Sequence, residues 1–169
     1  MKFFVTGVNG QLGHDVMNEL SSRSYEGIGS DIAPKYSGIQ DDSPVTKMPY
    51  ISFKTNHKLT LRQENMIKEK SGELISHCAA WTADDLAEDA DEQETVRKIN
   101  AAGTQYIASA CKELDCKMIY LSTDYVFDGQ GTTPWKPDCK DYKPLNVYGK
   151  SKLAGELAVS ETLSKYFIV

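Results

Sequence analysis

A tyrosine and a lysine stand four positions apart in Tyr148-Gly149-Lys150-Ser151-Lys152. On a helix this spacing places both side chains on one face, one turn apart. A phenol is a weak acid with a pKa of about 10, and a neighbouring ammonium group favours its ionised form. Tyr148 assisted by Lys152 is therefore a candidate proton donor to a ketone oxygen while a hydride reaches the carbon.

A second hydroxyl near that oxygen would stabilise the negative charge that develops there. Thr123, with Ser122 as the second candidate, follows the apolar run 117–121, which is typical of a buried strand. The Tyr-x-x-x-Lys spacing alone is equally typical of an exposed helix face. Its interpretation as catalytic depends on a cofactor-binding element elsewhere in the chain.

Such an element stands at the amino-terminal end, where three glycines separate the apolar run 2–5 from a predicted helix. Gly7 permits the backbone angles of a tight turn, Gly10 lets a pyrophosphate approach the main chain, and Gly13 lets the helix pack closely on the strand. The first helical turn offers free N–H groups and the positive end of the helix dipole to a phosphate. The inner face of this helix is predicted from an apolar stripe: Leu12, Val16 and Leu20.

A second predicted strand, 27–31, ends in Asp31, eighteen residues after Gly13. In dinucleotide-binding folds an acid about 20 residues beyond the glycine turn accepts hydrogen bonds from the adenosine ribose. Asp31 is therefore the predicted ribose ligand, and a loop-starting aspartate is the alternative. A carboxylate repels a 2′-phosphate and favours NADH, whereas Lys35 nearby favours NADPH, so we expect the chain to use NADPH or NADH.

Alternating strand and helix patterns continue along the chain. Further strands are predicted at 50–53, 73–78, 117–121 and 166–169, with helices after Asn56 and over 96–114. The inner residues of these two helices are predicted from their spacing: Leu59, Met66 and Ile67 in the first, and Val96, Ile99, Gly103, Tyr106, Ile107, Ala110 and Leu114 in the second. This order predicts an α/β fold with a doubly wound, mostly parallel, Rossmann-like sheet. Ligands of such sheets bind beyond the carboxyl ends of the strands, so 79–82 and 122–124 should meet the glycine turn across one crevice.

Composition excludes several classes of function. The 169 residues are 40% apolar, which suffices for one domain with a buried core. The net charge is −5 with acids and bases interspersed, and without a basic stripe we expect no nucleic-acid partner. No apolar run reaches the about 18 residues of a membrane span, and no signal-peptide pattern is present. We therefore expect no membrane partner and a cytoplasmic location.

A metal site is not expected either. The four cysteines and three histidines lack zinc-ligand spacing, so the thiols are predicted to be reduced packing residues. Five acids between Glu88 and Glu94 offer the alternative of a metal site. Acids just before and inside the first turn of a helix are, however, what the helix dipole favours.

The glycine turn Gly7-x-x-Gly10-x-x-Gly13 together with Tyr148-x-x-x-Lys152 resembles the extended short-chain dehydrogenase/reductases. Within that superfamily the segments 10–13, 79–83, 122–129 and 144–149 resemble the dTDP-4-dehydrorhamnose reductase family. The resemblance runs the length of the chain and is most specific over 121–156. It implies reduction of the 4-keto group of dTDP-4-dehydro-L-rhamnose by NADPH or NADH, the last step in making dTDP-rhamnose for cell-surface polysaccharides.

The resemblance also implies roles for individual residues. The catalytic set falls on Thr123, Tyr148 and Lys152. Cofactor contacts fall on Gly7, Gly10, Gln11, Leu12, Gly13, Ala79 and Ala80, besides Asp31, Tyr148 and Lys152. Residues that approach the sugar or the nicotinamide are Thr82, Asp124 and Tyr125. Asn100 matches a structural asparagine that lies near the active site in the superfamily.

Three features depart from the family pattern. Phe53-Lys54-Thr55-Asn56 replaces a Leu-Asp-Ile-Thr-like strand end, so an acid near the adenine is missing. The strand before Ala79 is more polar than usual, which predicts lower stability. Family members also continue for about another hundred residues, which form most of the sugar-nucleotide pocket. We therefore expect 1–169 to be a dinucleotide-binding domain carrying the catalytic set without the sugar-nucleotide domain, and a homodimer is possible because family members are often dimers.

Two alternatives remain open at this stage. The first is an epimerase or dehydratase acting on another nucleotide sugar, although dehydratases place an Asp-Glu pair where Asp124-Tyr125 follows Thr123 here. The second is a non-catalytic regulatory subunit of the same fold, since the regulatory beta subunit of methionine adenosyltransferase resembles this family. The intact set of Thr123, Tyr148 and Lys152 favours chemistry over regulation.

Overall fold

A computed structural model describes residues 1–38, 46–52, 54–55, 57–58, 60, 63, 65, 67–68 and 73–169. Within these residues six strands form one parallel sheet in the order β3-β2-β1-β4-β5-β6. The strands are β1 (Lys2–Thr6), β2 (Glu26–Asp31), β3 (Tyr50–Ser52), β4 (Leu74–His77), β5 (Lys117–Tyr120) and β6 (Tyr166–Ile168). The strand order reverses between β1 and β4, so the predicted doubly wound sheet is confirmed.

Helices cover both faces of the sheet. Among the described residues they include α1 (Gln11–Ser22), α2 (Gln93–Arg97), α3 (Thr104–Leu114) and α4 (Val147–Thr162). One buried cluster includes Phe4, Ile75 and Met118, and a second includes Val5, Val8 and Met17. Adjacent residues of β1 thus enter different clusters, as expected for a strand buried on both faces.

The predicted helix over 96–114 is interrupted. A π-helical segment, Lys98–Gly103, lies between α2 and α3. Such segments insert an extra residue into a helix and often occur at functional sites. Val96, Gly103, Ile107 and Ala110 are buried as predicted, whereas Ile99, Tyr106 and Leu114 are only partly buried.

Of the predicted inner stripe of α1, Leu20 is buried and Val16 packs against the second cluster, whereas the prediction for Leu12 is wrong. Leu12 is 48% exposed, and the buried residues are Gly13, His14, Met17 and Leu20. A Cβ on Gly13 would lie 2.7 Å from the carbonyl carbon of Gly7 and 2.9 Å from the Cα of Val8. This close approach of α1 to the glycine turn fixes the rotation of the helix and directs Leu12 away from the core.

The polar strand β4 is central and fully buried. The two ring nitrogens of His77 lie 2.8 Å from the Thr6 hydroxyl and 3.2 Å from the Thr104 hydroxyl. Burial, with a smaller contribution from the charge of Lys152, lowers the pKa of His77 to about 3. The imidazole is therefore neutral, and its two hydrogen bonds offset the cost of burying it.

Some sequence-based predictions fall on positions outside the described residues: Phe53, Asn56, Leu59 and Met66. Ile67 is described and belongs to the main core cluster, as predicted. All four cysteines are free, with Cys111 and Cys116 buried. In the part of the chain that the structure describes, no helix has the length and apolar character needed to cross a membrane.

Candidate active site

A cleft of about 860 Å³ opens at the carboxyl ends of the strands. Among the residues that line it are all those predicted to contact the cofactor and one predicted to contact substrate: Gly7, Gly10, Gln11, Leu12, Gly13, Asp31, Ala79, Ala80, Tyr148, Lys152 and Thr82. The glycine turn, most of 79–82 and Ser122 therefore meet at one crevice, as predicted. Thr123, Asp124 and Tyr125 are not among the lining residues.

The glycine turn has the form that a phosphate requires. Gly7 has φ +73°, and a Cβ there would lie 2.6 Å from the amide nitrogen of Ala79. Gly10 precedes the first turn of α1, and no described side chain caps that helix end. The amides of the first turn are thus left for an anion, the arrangement by which α/β folds bind a pyrophosphate.

Asp31 holds the glycine turn as well as lining the cleft. Its carboxylate accepts hydrogen bonds from the backbone N–H of Asn9 at 2.9 Å and of Ile32 at 2.7 Å. The Asn9 side chain in turn donates to the carbonyl of Lys35 and accepts from the N–H of Ser37. Sequence reasoning did not identify Asn9, although its place between Gly7 and Gly10 is a signal that could have done so.

Asn100, in the π-helical segment, joins two walls of the site. Its Oδ1 accepts from the N–H of Trp81 at 2.8 Å, and its Nδ2 donates to the Trp81 carbonyl at 3.1 Å. The same Nδ2 donates to the hydroxyl of Ser151 on α4 at 3.0 Å. Asn100 therefore fixes the segment after β4 relative to the helix that carries Tyr148 and Lys152, as the family resemblance implied.

Thr123 and Tyr148 are brought together. Thr123 caps the 3₁₀ turn Asp124–Val126 by accepting from the N–H of Tyr125, and its side chain lies close enough to Tyr148 to oppose the rise that burial causes in the pKa of that phenol. The Tyr125 ring lies edge-on to the Tyr148 ring at 5.7 Å. Ser122 instead donates to Glu156. Of the two candidate hydroxyls, Thr123 is therefore the one beside the phenol.

Gly149 makes this approach possible. A Cβ at that position would overlap the Tyr125 carbonyl oxygen and lie 3.0 Å from its carbon. Asn146 caps α4 by accepting from the N–H of Gly149 at 2.7 Å. Sequence reasoning treated Gly149 only as part of a motif, but the structure shows that the absence of its side chain lets the 3₁₀ turn contact the start of α4.

The expected lowering of the Tyr148 pKa is not found. Burial raises the pKa of the Tyr148 phenol above its ordinary value, the nearby Thr123 side chain opposes that rise, and Asp84 adds to it. Lys152 does not lower the Tyr148 pKa. Its ammonium group instead donates to the Leu121 carbonyl. The phenol is therefore protonated at neutral pH, which suits a proton donor.

Lys152 is buried under the end of β5. Its Nζ donates to the Leu121 carbonyl and lies 4.2 Å from the centre of the Tyr120 ring. The Tyr120 hydroxyl donates to the backbone carbonyl of Lys152 at 3.1 Å. Burial lowers the pKa of Lys152 to about 8, with Glu156 and then Cys78 opposing the fall. The ammonium group is thus available to the cleft without forming an ion pair in the described residues.

The acidic segment before α2 supports the site structurally. Glu88 accepts a hydrogen bond from the N–H of Val147 at 2.5 Å, at the start of α4. Glu94 forms an ion pair with Lys98 one turn later. Within the described residues no cluster of metal-ligating side chains is found. Glu88 therefore stabilises the start of α4, and Glu94 lies in the first turn of α2, where the helix dipole favours an acid.

Several lining residues were not assigned to the cofactor from sequence: Asp15, Ile32, Lys54, Thr55, His77, Cys78, Ile99, Leu121 and Ser122. Cys78, Leu121 and Ser122 directly follow strands, so their position at the carboxyl edge is a signal that could have found them. Ile99 carries no such signal, because it reaches the cleft through the π-helical segment.

Comparison with known proteins agrees with this geometry. The dTDP-4-dehydrorhamnose reductase of Escherichia coli is 45% identical over 96 residues, which are 57% of this chain and 31% of the relative. A solved dTDP-4-dehydrorhamnose reductase from Clostridium acetobutylicum has 31% identity and a TM-score of 0.78, covering 99% of this chain and 52% of that one. The Bacillus anthracis enzyme, solved in complex with NADP, has 30% identity and a TM-score of 0.73, covering 99% and 51%.

These matches confirm both the fold class and the resemblance inferred from the motifs. The chain spans about half the length of the two solved relatives. A family model described as RmlD substrate binding domain matches residues 1–169. Since that match extends over the whole printed sequence, the chain belongs to the RmlD substrate binding domain family.

Proposed function

We propose that this chain is the cofactor-binding and catalytic portion of a dTDP-4-dehydrorhamnose reductase, which reduces the 4-keto group of dTDP-4-dehydro-L-rhamnose with NADPH or NADH. The observation that carries the proposal is a single cleft lined by the glycine turn, Asp31, Tyr148 and Lys152. The relatives of this name and the NADP complex of one of them support the choice of substrate and cofactor.

The residues present fit a dinucleotide. The turn around Gly7 leaves no room for a Cβ, the α1 amides suit a pyrophosphate, and Asp31 and Lys152 lie on the same cleft to receive the two riboses. When bound, the nicotinamide supplies the hydride. Ala79 and Ala80 offer small side chains beside the glycine turn, so the main chain of the segment after β4 can lie close to the cofactor.

The chemical roles follow from the geometry around Tyr148. Because its phenol is held protonated by burial, Tyr148 gives a proton to the ketone oxygen as that oxygen gains charge. Thr123, which lies beside Tyr148, donates a second hydrogen bond to the same oxygen. Lys152, whose charge does not shift the Tyr148 pKa, is proposed to hold the nicotinamide ribose from the same cleft. Thr82, Asp124 and Tyr125 are proposed to contact the sugar.

Further parts of the proposal concern context. We propose a single dinucleotide-binding domain over 1–169, a sugar-nucleotide domain outside it, a cytoplasmic location, a role in polysaccharide synthesis and a possible homodimer. The epimerase or dehydratase alternative is less favoured because Asp124-Tyr125 follows Thr123. The regulatory alternative is less favoured because the structure brings Thr123 and Tyr148 into contact.

The test uses the chain as it stands. We expect NADPH to bind, with a change in its fluorescence, and dTDP-4-dehydrorhamnose added afterwards to be reduced slowly or not at all. Much of an enzyme's rate comes from positioning, and the relatives have a further half of chain for that purpose. The measurement is a fluorescence titration followed by absorbance at the NADPH band. Failure to bind either nicotinamide cofactor would overturn the proposal, and steady-state turnover typical of whole enzymes would overturn the domain assignment.

Cofactor preference gives a second prediction. Asp31→Ala should raise the Kd for NADH about tenfold, because hydrogen bonds from a ribose to a carboxylate are lost, and should raise that for NADPH less. Asp31→Asn is the matched control, since its side-chain oxygen still accepts from the N–H of Asn9 while its charge is gone. Titrations of both cofactors into the two variants measure the ratio. An equal loss of affinity for NADH and NADPH in Asp31→Asn would show that Asp31 does not bind the ribose.

A further inference from the structure

One buried carboxylate near the site has no role so far. Glu156 lies on α4, one turn after Lys152, and is 7% exposed. It accepts a hydrogen bond from the hydroxyl of Ser122, at the end of β5. Burying a carboxylate is costly unless hydrogen bonds and charges compensate it, so its partners are informative.

Ser122 stands between two residues of the site. The carbonyl of Leu121, the residue before it, accepts from the Lys152 Nζ, and Thr123, the residue after it, lies close enough to Tyr148 to influence the pKa of that phenol. The Ser122–Glu156 hydrogen bond therefore ties this strand end to α4. The hydrogen bond from the Tyr120 hydroxyl to the Lys152 carbonyl also ties β5 to α4.

A second hydroxyl lies near the same carboxylate from another element. Tyr142 lies in the segment that leads into α4, and burial followed by the nearby Glu156 carboxylate raises the pKa of its phenol. Tyr142 also stacks on Phe127 at 5.7 Å between ring centres, and the N–H of Lys143 donates to the Val126 carbonyl at 2.9 Å. Glu156 thus joins the strand end that carries Thr123 to the segment that precedes Tyr148.

The carboxylate also acts on Lys152 through its charge. Glu156 is the largest influence that raises the Lys152 pKa against the effect of burial. The other titratable groups around Lys152 are His77, which is neutral, Cys78 after β4, Tyr120 on β5 and Tyr148 on α4. Glu156 is the carboxylate beside this set, and burial raises the pKa of the Cys78 thiol.

We propose that Glu156 is a positioning residue for the reaction, whose buried carboxylate holds the end of β5 and the segment before α4 around Lys152 and keeps that lysine charged. This inference rests on the proposed function for its catalytic meaning. The contacts themselves are independent of it.

The test is a pH titration of Lys152 in the present chain. Lysine is labelled with ¹³C, and its Cε resonance is followed by NMR, with Lys152→Arg identifying the signal. In Glu156→Gln the amide still accepts hydrogen bonds but the charge is gone, and we expect the pKa of Lys152 to fall from about 8 to about 7. Glu161→Gln, an exposed carboxylate on the same helix, is the control and should leave the titration unchanged.

Two milder variants protect the test against misfolding. Ser122→Ala and Tyr142→Phe each keep the charge but remove one hydroxyl beside the carboxylate, and each is expected to weaken NADPH binding about threefold. If Glu156→Gln folds and its Lys152 titration is unchanged, the inference is overturned. If Glu156→Gln does not fold, unchanged NADPH affinity in both milder variants overturns it. Absence of NADPH binding in the unmodified chain would instead overturn the proposed function, because the lysine titration needs no cofactor.

Discussion

Replacing Tyr148 with phenylalanine is expected to lower the rate of ketone reduction about a thousandfold, within the range for loss of a general acid, while leaving NADPH affinity nearly unchanged. The variant keeps the ring, which packs edge-on against Tyr125, and removes only the hydroxyl. Without it, Thr123 alone would donate to the developing alkoxide, and the half-buried phenol that supplies the proton would be gone.

This prediction needs a protein able to turn over. We therefore extend this chain after Val169 with the corresponding carboxyl-terminal segment of the Clostridium acetobutylicum relative, whose structure aligns with 99% of this chain. The measurement is NADPH oxidation by the extended protein. Tyr25→Phe, at a partly exposed ring that contacts Phe3, is the control and should keep full activity. A Tyr148→Phe rate within tenfold of the unmodified protein would show that another group gives the proton.

Replacing Gly13 with alanine is expected to weaken NADPH binding more than a hundredfold and to destabilise the domain. The new Cβ would fall 2.7 Å from the Gly7 carbonyl carbon and 2.9 Å from the Val8 Cα, both main-chain atoms that cannot rotate aside. Overpacking of this kind costs about 3 kcal/mol, or roughly 10 °C in Tm for a domain of this size. The displaced α1 would also carry its first-turn amides away from the phosphate.

Gly10 provides the matched comparison. A Cβ there would meet only the Gly7 carbonyl oxygen, at 3.3 Å, and its φ of −88° suits any residue. Gly10→Ala should therefore keep its Tm within about 3 °C and still bind NADPH more weakly, because the methyl group occupies the pyrophosphate approach. Thermal unfolding and cofactor titration of both variants separate the two effects. Normal Tm and normal binding in Gly13→Ala would contradict the close packing of α1 on the turn.

Much of the fold was predictable because its signals are local. The runs that form β1 and β5 are short and apolar, and a glycine turn directly follows β1. The helix over 96–114 was predicted as continuous because its apolar spacing is continuous. Its π-helical segment contains Asn100, whose contacts with Trp81 and Ser151 no local pattern reveals.

The sequence by itself determined the order of elements, the glycine turn and the identities of the hydroxyl, phenol and ammonium groups, since periodicity and motif spacing are properties of the chain. Only the tertiary structure decided which face of α1 is buried and that the Tyr148 pKa is raised rather than lowered. It also decided that Thr123, and not Ser122, lies beside Tyr148. It also brought Glu156 to Ser122 and Tyr142. The physical reason is that burial, hydrogen-bond partners and local charge depend on elements distant in the chain, and these meet only when the sheet has formed.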